Sequence, residues 1–104
     1  MAYTVLGQSF PAAATATLLY TADTQTVVSS LVVCNQSAVP TTFRVSIRVS
    51  GVSDATKQYL YYDVPIDGND TFVSTIGITL NATDLVYVYS TLSTVSFNLF
   101  GSTI

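Results

Sequence analysis

Between Thr41 and Val49 the chain alternates without a break: Phe43, Val45, Ile47 and Val49 are apolar, and Thr42, Arg44, Ser46 and Arg48 between them are polar. A period of two is that of a β-strand, whose successive side chains point to opposite faces; on a helix, residues two apart would be spread around the cylinder. The segment therefore predicts a strand with one wall in a core and the other facing water. Runs of similar length, rich in Val, Ile, Thr, Tyr and Phe, recur along the rest of the chain. These residues are stiff or bulky at Cβ and fit a pleated surface better than a helix. Clusters of Gly, Pro, Asn and Asp separate the runs at intervals of roughly 8 to 12 residues, the spacing of a sandwich or barrel.

Seven further strands are expected, at about Tyr3 to Gln8, Ala16 to Thr21, Thr26 to Asn35, Lys57 to Asp63, Thr71 to Thr79, Leu85 to Thr91 and Thr94 to Phe100. The fold class read from this pattern is all-β: one antiparallel β-sandwich domain, jelly-roll-like, of about eight strands over residues 1–104. Pro11, Pro40 and Pro65 fall between the expected strands, where a missing donor breaks no ladder. Pro65-Ile-Asp-Gly-Asn-Asp70 is the strongest turn signal, since Asp-Gly and Gly-Asn readily take positive φ. No linker and no internal repeat interrupts the pattern.

A domain of 104 residues buries only about two-thirds of the surface of its unfolded chain, so its stability is marginal unless something adds to it. Cys34 is the only cysteine, and no disulfide forms within the chain. Hydrophobic residues make up 49% and charged ones 9%, against about 25% charged in an ordinary soluble domain. Such a surface suits permanent contact with neighbours, so a homo-oligomer is expected. The charge is −3, from three basic residues and six acids, all Asp, which is the wrong sign for a phosphate backbone. No nucleic acid is expected as partner. Nor is a membrane, since no run of about eighteen apolar residues occurs. The start carries no basic region followed by an apolar run, and a lone thiol without an export signal fits folding in a reducing cytosol. Asn35, Asn69 and Asn81 each head an Asn-x-Ser/Thr triplet and read as turn asparagines.

Catalysis fails on inventory. The chain has no histidine, which removes Ser-His and Cys-His pairs and His-ligated zinc. Cys34, within Leu31-Val-Val-Cys34, reads as an ordinary core thiol. Asp63, Asp67, Asn69 and Asp70 offer oxygen ligands but lack the spacing of a calcium loop, and read as a turn. No enzyme activity, catalytic residue, metal or cofactor is expected. Arg44 and Arg48 share one strand face about 13 Å apart. They form either a solvated stripe or a docking site for an acidic patch on a partner. The tyrosines of Tyr59-Leu-Tyr-Tyr62 and Tyr87-Val-Tyr89 fit a core strand, a protein contact or a carbohydrate groove, although the chain has no Trp. The partner-binding candidates are Arg44, Arg48, Tyr59, Tyr61, Tyr87 and Tyr89.

Seven stretches carry a family resemblance that runs end to end. They are Tyr3-Thr-Val-Leu-Gly-Gln-Ser9 with Pro11, Leu19-Tyr-Thr21, Val32-Val-Cys-Asn35 leading into Thr42-Phe-Arg-Val45, Tyr61-Tyr-Asp-Val-Pro65, Gly68-Asn-Asp-Thr71, Ile76-Gly-Ile-Thr-Leu80 and Ser96-Phe-Asn-Leu-Phe-Gly101. In these the chain resembles a family of virion structural proteins, about a hundred residues long, of tailed phages including cyanophages. The resemblance implies a non-enzymatic particle component with a β-sandwich fold, made in the host cytoplasm and located on the virion. A capsid decoration or cement protein is the leading expectation. It would bind itself, as a trimer by the symmetry of capsid lattices, and other virion proteins such as the major capsid protein. A neck, tail, baseplate or fibre-attachment component is the alternative in the same class, and a carbohydrate-binding module for host-surface contact is the alternative in another.

Overall fold

In the computed structural model, which describes residues 2–104, the alternating segment is a strand that buries Phe43 and Val45 and turns Arg44 and Arg48 to the other face. It belongs to a set of nine: β1 (Thr4–Ser9), β2 (Thr17–Thr21), β3 (Thr26–Asn35), β4 (Thr41–Arg48), β5 (Tyr59–Ile66), β6 (Thr71–Ser74), β7 (Ile78–Leu80), β8 (Leu85–Ser90) and β9 (Val95–Thr103). One sheet has the order β1-β9-β3-β6, with β7 following β6 along the same edge of β3, and the other has the order β2-β8-β4-β5. Every pairing among the described residues is antiparallel. Counting β6 and β7 as one position, the chain changes sheet at every connection except the β4–β5 hairpin. Eight positions in these two orders make a jelly roll.

The core lies between the sheets and takes alternate residues from each strand, as the pleat requires. Val28, Leu31 and Val33 of β3 and Phe97 and Leu99 of β9 face Phe43 and Val45 of β4 and Val86 and Val88 of β8, all buried. Phe43 is the hub, its ring centroid 5.3 Å from Phe72, 6.1 Å from Phe97 and 6.3 Å from Tyr61. Tyr61 bridges the two layers, sharing a 2.6 Å hydrogen bond with Ser74. Each fully buried side chain of this size contributes about 1.5 to 3 kcal/mol.

The structure departs from the sequence pattern where backbone conformation overrides alternation. β4 ends at Arg48, because Ser50 and Gly51 both take positive φ (55° and 70°) and turn the chain. Val49 is therefore exposed in a single 3₁₀ turn, and Ile47 is half-buried at the end of the sandwich. The expected strand over 71–79 is broken into β6 and β7. Across from the break, β3 bulges between Val28 and Ser30; β9 absorbs the shift within one ladder, whereas on the other edge pairing lapses between Ser74 and Ile78. Pro65 lies inside β5 and not between strands, which is tolerated because β5 is an edge whose unpaired side needs no donor. Cys34 is half-buried on the outer face of its sheet, opposite Ser96 and Thr71, and is not a core thiol.

Asn35, at the end of β3, is buried and satisfied on both sides of its amide. Its Nδ2 donates to the carbonyls of Val39 (2.9 Å) and Asp67 (3.2 Å), and its Oδ1 accepts from the Ser37 N–H (3.2 Å) and the Thr94 hydroxyl (3.1 Å). One side chain thus fastens three loops. Asn35→Ala is expected to lower stability by about 3 kcal/mol in a denaturant melt, since it removes four hydrogen bonds made by a buried side chain. Next to it, Asn69 has the anticipated positive φ, 56°. Gly68 answers to a different demand, because a Cβ at this position would collide with the Ala38 backbone. Gly68→Ala is expected to cost about 2 kcal/mol through the backbone shift it forces, read as a lower melting temperature.

Candidate functional site

The outer face of the β2-β8-β4-β5 sheet collects most of the residues that stood out in the sequence. In β8, Val86 and Val88 point inward, so Tyr87 and Tyr89 stand outside, half-buried. β4 lays Arg44 opposite Tyr89 and Ser46 opposite Tyr87. Further along β4, the Arg48 guanidinium carbon sits 3.7 Å from the centroid of the Tyr87 ring.

The other side of Arg44 is built by a bulge. Phe43 pairs with Val64 and Val45 with Tyr61, so two residues of β5, Tyr62 and Asp63, stand against Arg44 alone. Asp63 takes φ 53°, a left-handed conformation that Asp tolerates better than most residues. Its carboxylate accepts a fork of two bonds from Arg44, 2.7 Å from Nε to Oδ1 and 3.2 Å from Nη2 to Oδ2. The same guanidinium lies between two rings, 4.2 Å from the Tyr62 centroid and 4.3 Å from that of Tyr89. The bond to Asp63 holds Arg44 above its usual pKa. Tyr59 packs edge-on against Tyr62, centroids 5.1 Å apart, and its hydroxyl donates to Asp54 at 2.9 Å. Partial burial, followed by the bond to Asp54, raises the Tyr59 phenol above its ordinary value.

The two arginines therefore differ. Arg44 has its counter-charge within the chain. Arg48 forms no ion pair among the described residues, and its Nε is covered with no hydrogen-bond partner. A planar cation held over an aromatic ring has lost much of its rotamer freedom already, so less is lost when it meets a carboxylate. Past the end of β4, an apolar groove of about 620 Å³ is lined by Ile47, Val49, Val52 and Leu60, with Lys57, the third cation of the chain, among its walls. Leu60 reaches it through a second bulge of β5, between the pairs Val45–Tyr61 and Ser46–Tyr59.

Of the sequence candidates, Arg44, Arg48, Tyr59, Tyr87 and Tyr89 come together here. Tyr61 does not, for it faces the core. A count of two from Tyr59 puts Tyr61 on the same face, and the bulge at Leu60 reverses that parity. Tyr62, which the sequence gives only as part of its aromatic cluster, and Asp63, which it gives as a turn residue, complete the site. Nothing in their sequence separates a bulge from a regular strand except Asp at a position that needs positive φ. Asp63, bound to Arg44, is held apart from the turn aspartates, and the Asp70 carboxylate accepts the Thr71 N–H at 2.8 Å. Among the described residues no three His, Cys, Asp or Glu side chains gather as metal ligands would.

No protein-family model, curated protein or solved structure matches the chain.

Proposed function

We propose that this chain is a non-enzymatic virion structural protein that docks on other particle proteins through its arginine and tyrosine face, with decoration and reinforcement of the capsid shell as its task. The observation that supports this reading is Arg48, held over the Tyr87 ring and without a carboxylate partner among the described residues. A partner carboxylate on a neighbour such as the major capsid protein supplies the missing charge. The exposed Val49, Val52 and Leu60 beside it add apolar area to the contact. Each such contact is modest; a homo-oligomer, a trimer on a capsid lattice, sums several of them over its attachment points.

Counting copies in purified particles tests the assignment to the shell. Copies on the order of hundreds, as a repeating lattice demands, support it. About one or two dozen, the number set by a ring at the neck, tail or baseplate, would replace the shell with that location.

A further inference from the structure

The other sheet carries a groove of different chemistry. It has a volume of about 540 Å³, opens to solvent and is lined by Gln8, Ser9, Phe10, Gln36, Ser96 and Asn98, none of them charged. Gln8 of β1 and Asn98 of β9 are register partners, and the Gln8 Nε2 donates to the Asn98 Oδ1 at 2.7 Å. That bond fixes both amides and still leaves the Gln8 Oε1, the second hydrogen on its Nε2 and both hydrogens of the Asn98 amide for a ligand. Phe10, just past the end of β1, keeps 55% of its surface exposed at the groove.

We propose that this groove binds a neutral saccharide. Amides and serine hydroxyls both donate and accept, which matches a ligand whose polar groups are hydroxyls that do the same. An anion finds no cation in the groove and a cation finds no carboxylate. The Phe10 ring offers a flat apolar surface to the C–H face of a sugar ring. An open trough suits a stretch of glycan chain, held weakly at each site and tightly when many copies on one particle engage together. The tyrosines of the other sheet are poorer platforms, because Tyr62 and Tyr89 stack on Arg44 and Tyr87 on Arg48. This binding is independent of the docking face and survives its loss.

The test applies the whole chain to an array of immobilised neutral and acidic oligosaccharides. The strongest neutral binder is then titrated into ¹⁵N-labelled protein while the side-chain amide signals of Gln8, Gln36 and Asn98 are followed. Binding to neutral glycans with shifts at these amides is expected. Phe10→Ala is expected to weaken it by about tenfold with an unchanged melting temperature, and Arg48→Ala to leave it as it was. The proposal is overturned by an array with no neutral signal, by binding confined to acidic glycans, by shifts located at Tyr87 and Tyr89 instead, or by a folded Phe10→Ala variant that binds as the parent does.

Discussion

Val45→Asp is expected to leave the chain unfolded under conditions in which the parent melts cooperatively. Val45 is 1% exposed at the middle of β4, between Val88 of β8 and Tyr61 of β5. Removing the valine forfeits about 1.5 to 3 kcal/mol of apolar burial. Burying a carboxylate with no partner costs several kcal/mol more, whether it stays charged or takes up a proton. The sum is comparable to the roughly 5 to 15 kcal/mol that holds a domain of this kind together. Ile47→Asp, two residues on in the same alternation, is the informative comparison. Ile47 is half-buried and opens on the groove that contains Lys57, so its replacement is expected to lower the melting temperature and preserve the fold. Circular dichroism of the two variants reads both outcomes. Equal damage at the two positions would mean that the alternation, and not the turn after Arg48, decides where the core ends.

That contrast marks how far the sequence is informative. The strand pattern is legible because burial on one face of a sheet imposes a period of two, and β3, β4 and β8 lie within a residue of where that period puts them. The order of the strands is not legible in that pattern, because eight positions joined by turns fit other sandwich topologies as well, and only the pairing shows the jelly roll. What periodicity cannot show is where a strand gains a residue relative to its partner. The bulges at Leu60 and at Tyr62–Asp63 are properties of a pairing, and they decide which tyrosines face out. Nor does a local pattern reveal contacts across distant loops. Asp84 is an example, a buried carboxylate that accepts the Ser50 N–H and the Asn81 N–H, each at 2.9 Å, and so ties the turn after β4 to the turn before β8. Asn35 belongs to the same class: its sequence context says turn, whereas its partners in three loops make it a fastening.

Arg48→Ala is expected to remove the protein from the particle. If the guanidinium meets a carboxylate in a desolvated contact, truncation costs about 2 to 5 kcal/mol, roughly a 30-fold or greater loss of affinity. The fold should be untouched, since no side chain among the described residues depends on an ion pair to Arg48 and the ring of Tyr87 beneath it stays packed in the sheet. Arg44→Ala is a less direct probe, because it strands Asp63 and frees Tyr62 and Tyr89, altering the face as well as its charge. Arg48→Lys separates charge from shape: it keeps the cation and loses the planar fork, so intermediate binding is expected from a bidentate contact. Occupancy is measured by adding each purified variant to particles stripped of the native protein, across a salt series. Weakening that grows with salt in the parent and is absent in Arg48→Ala identifies the arginine as part of the contact. Occupancy equal to the parent at every salt concentration would make the stripe an ordinary solvated face, because a charge buried against a partner cannot be deleted without effect.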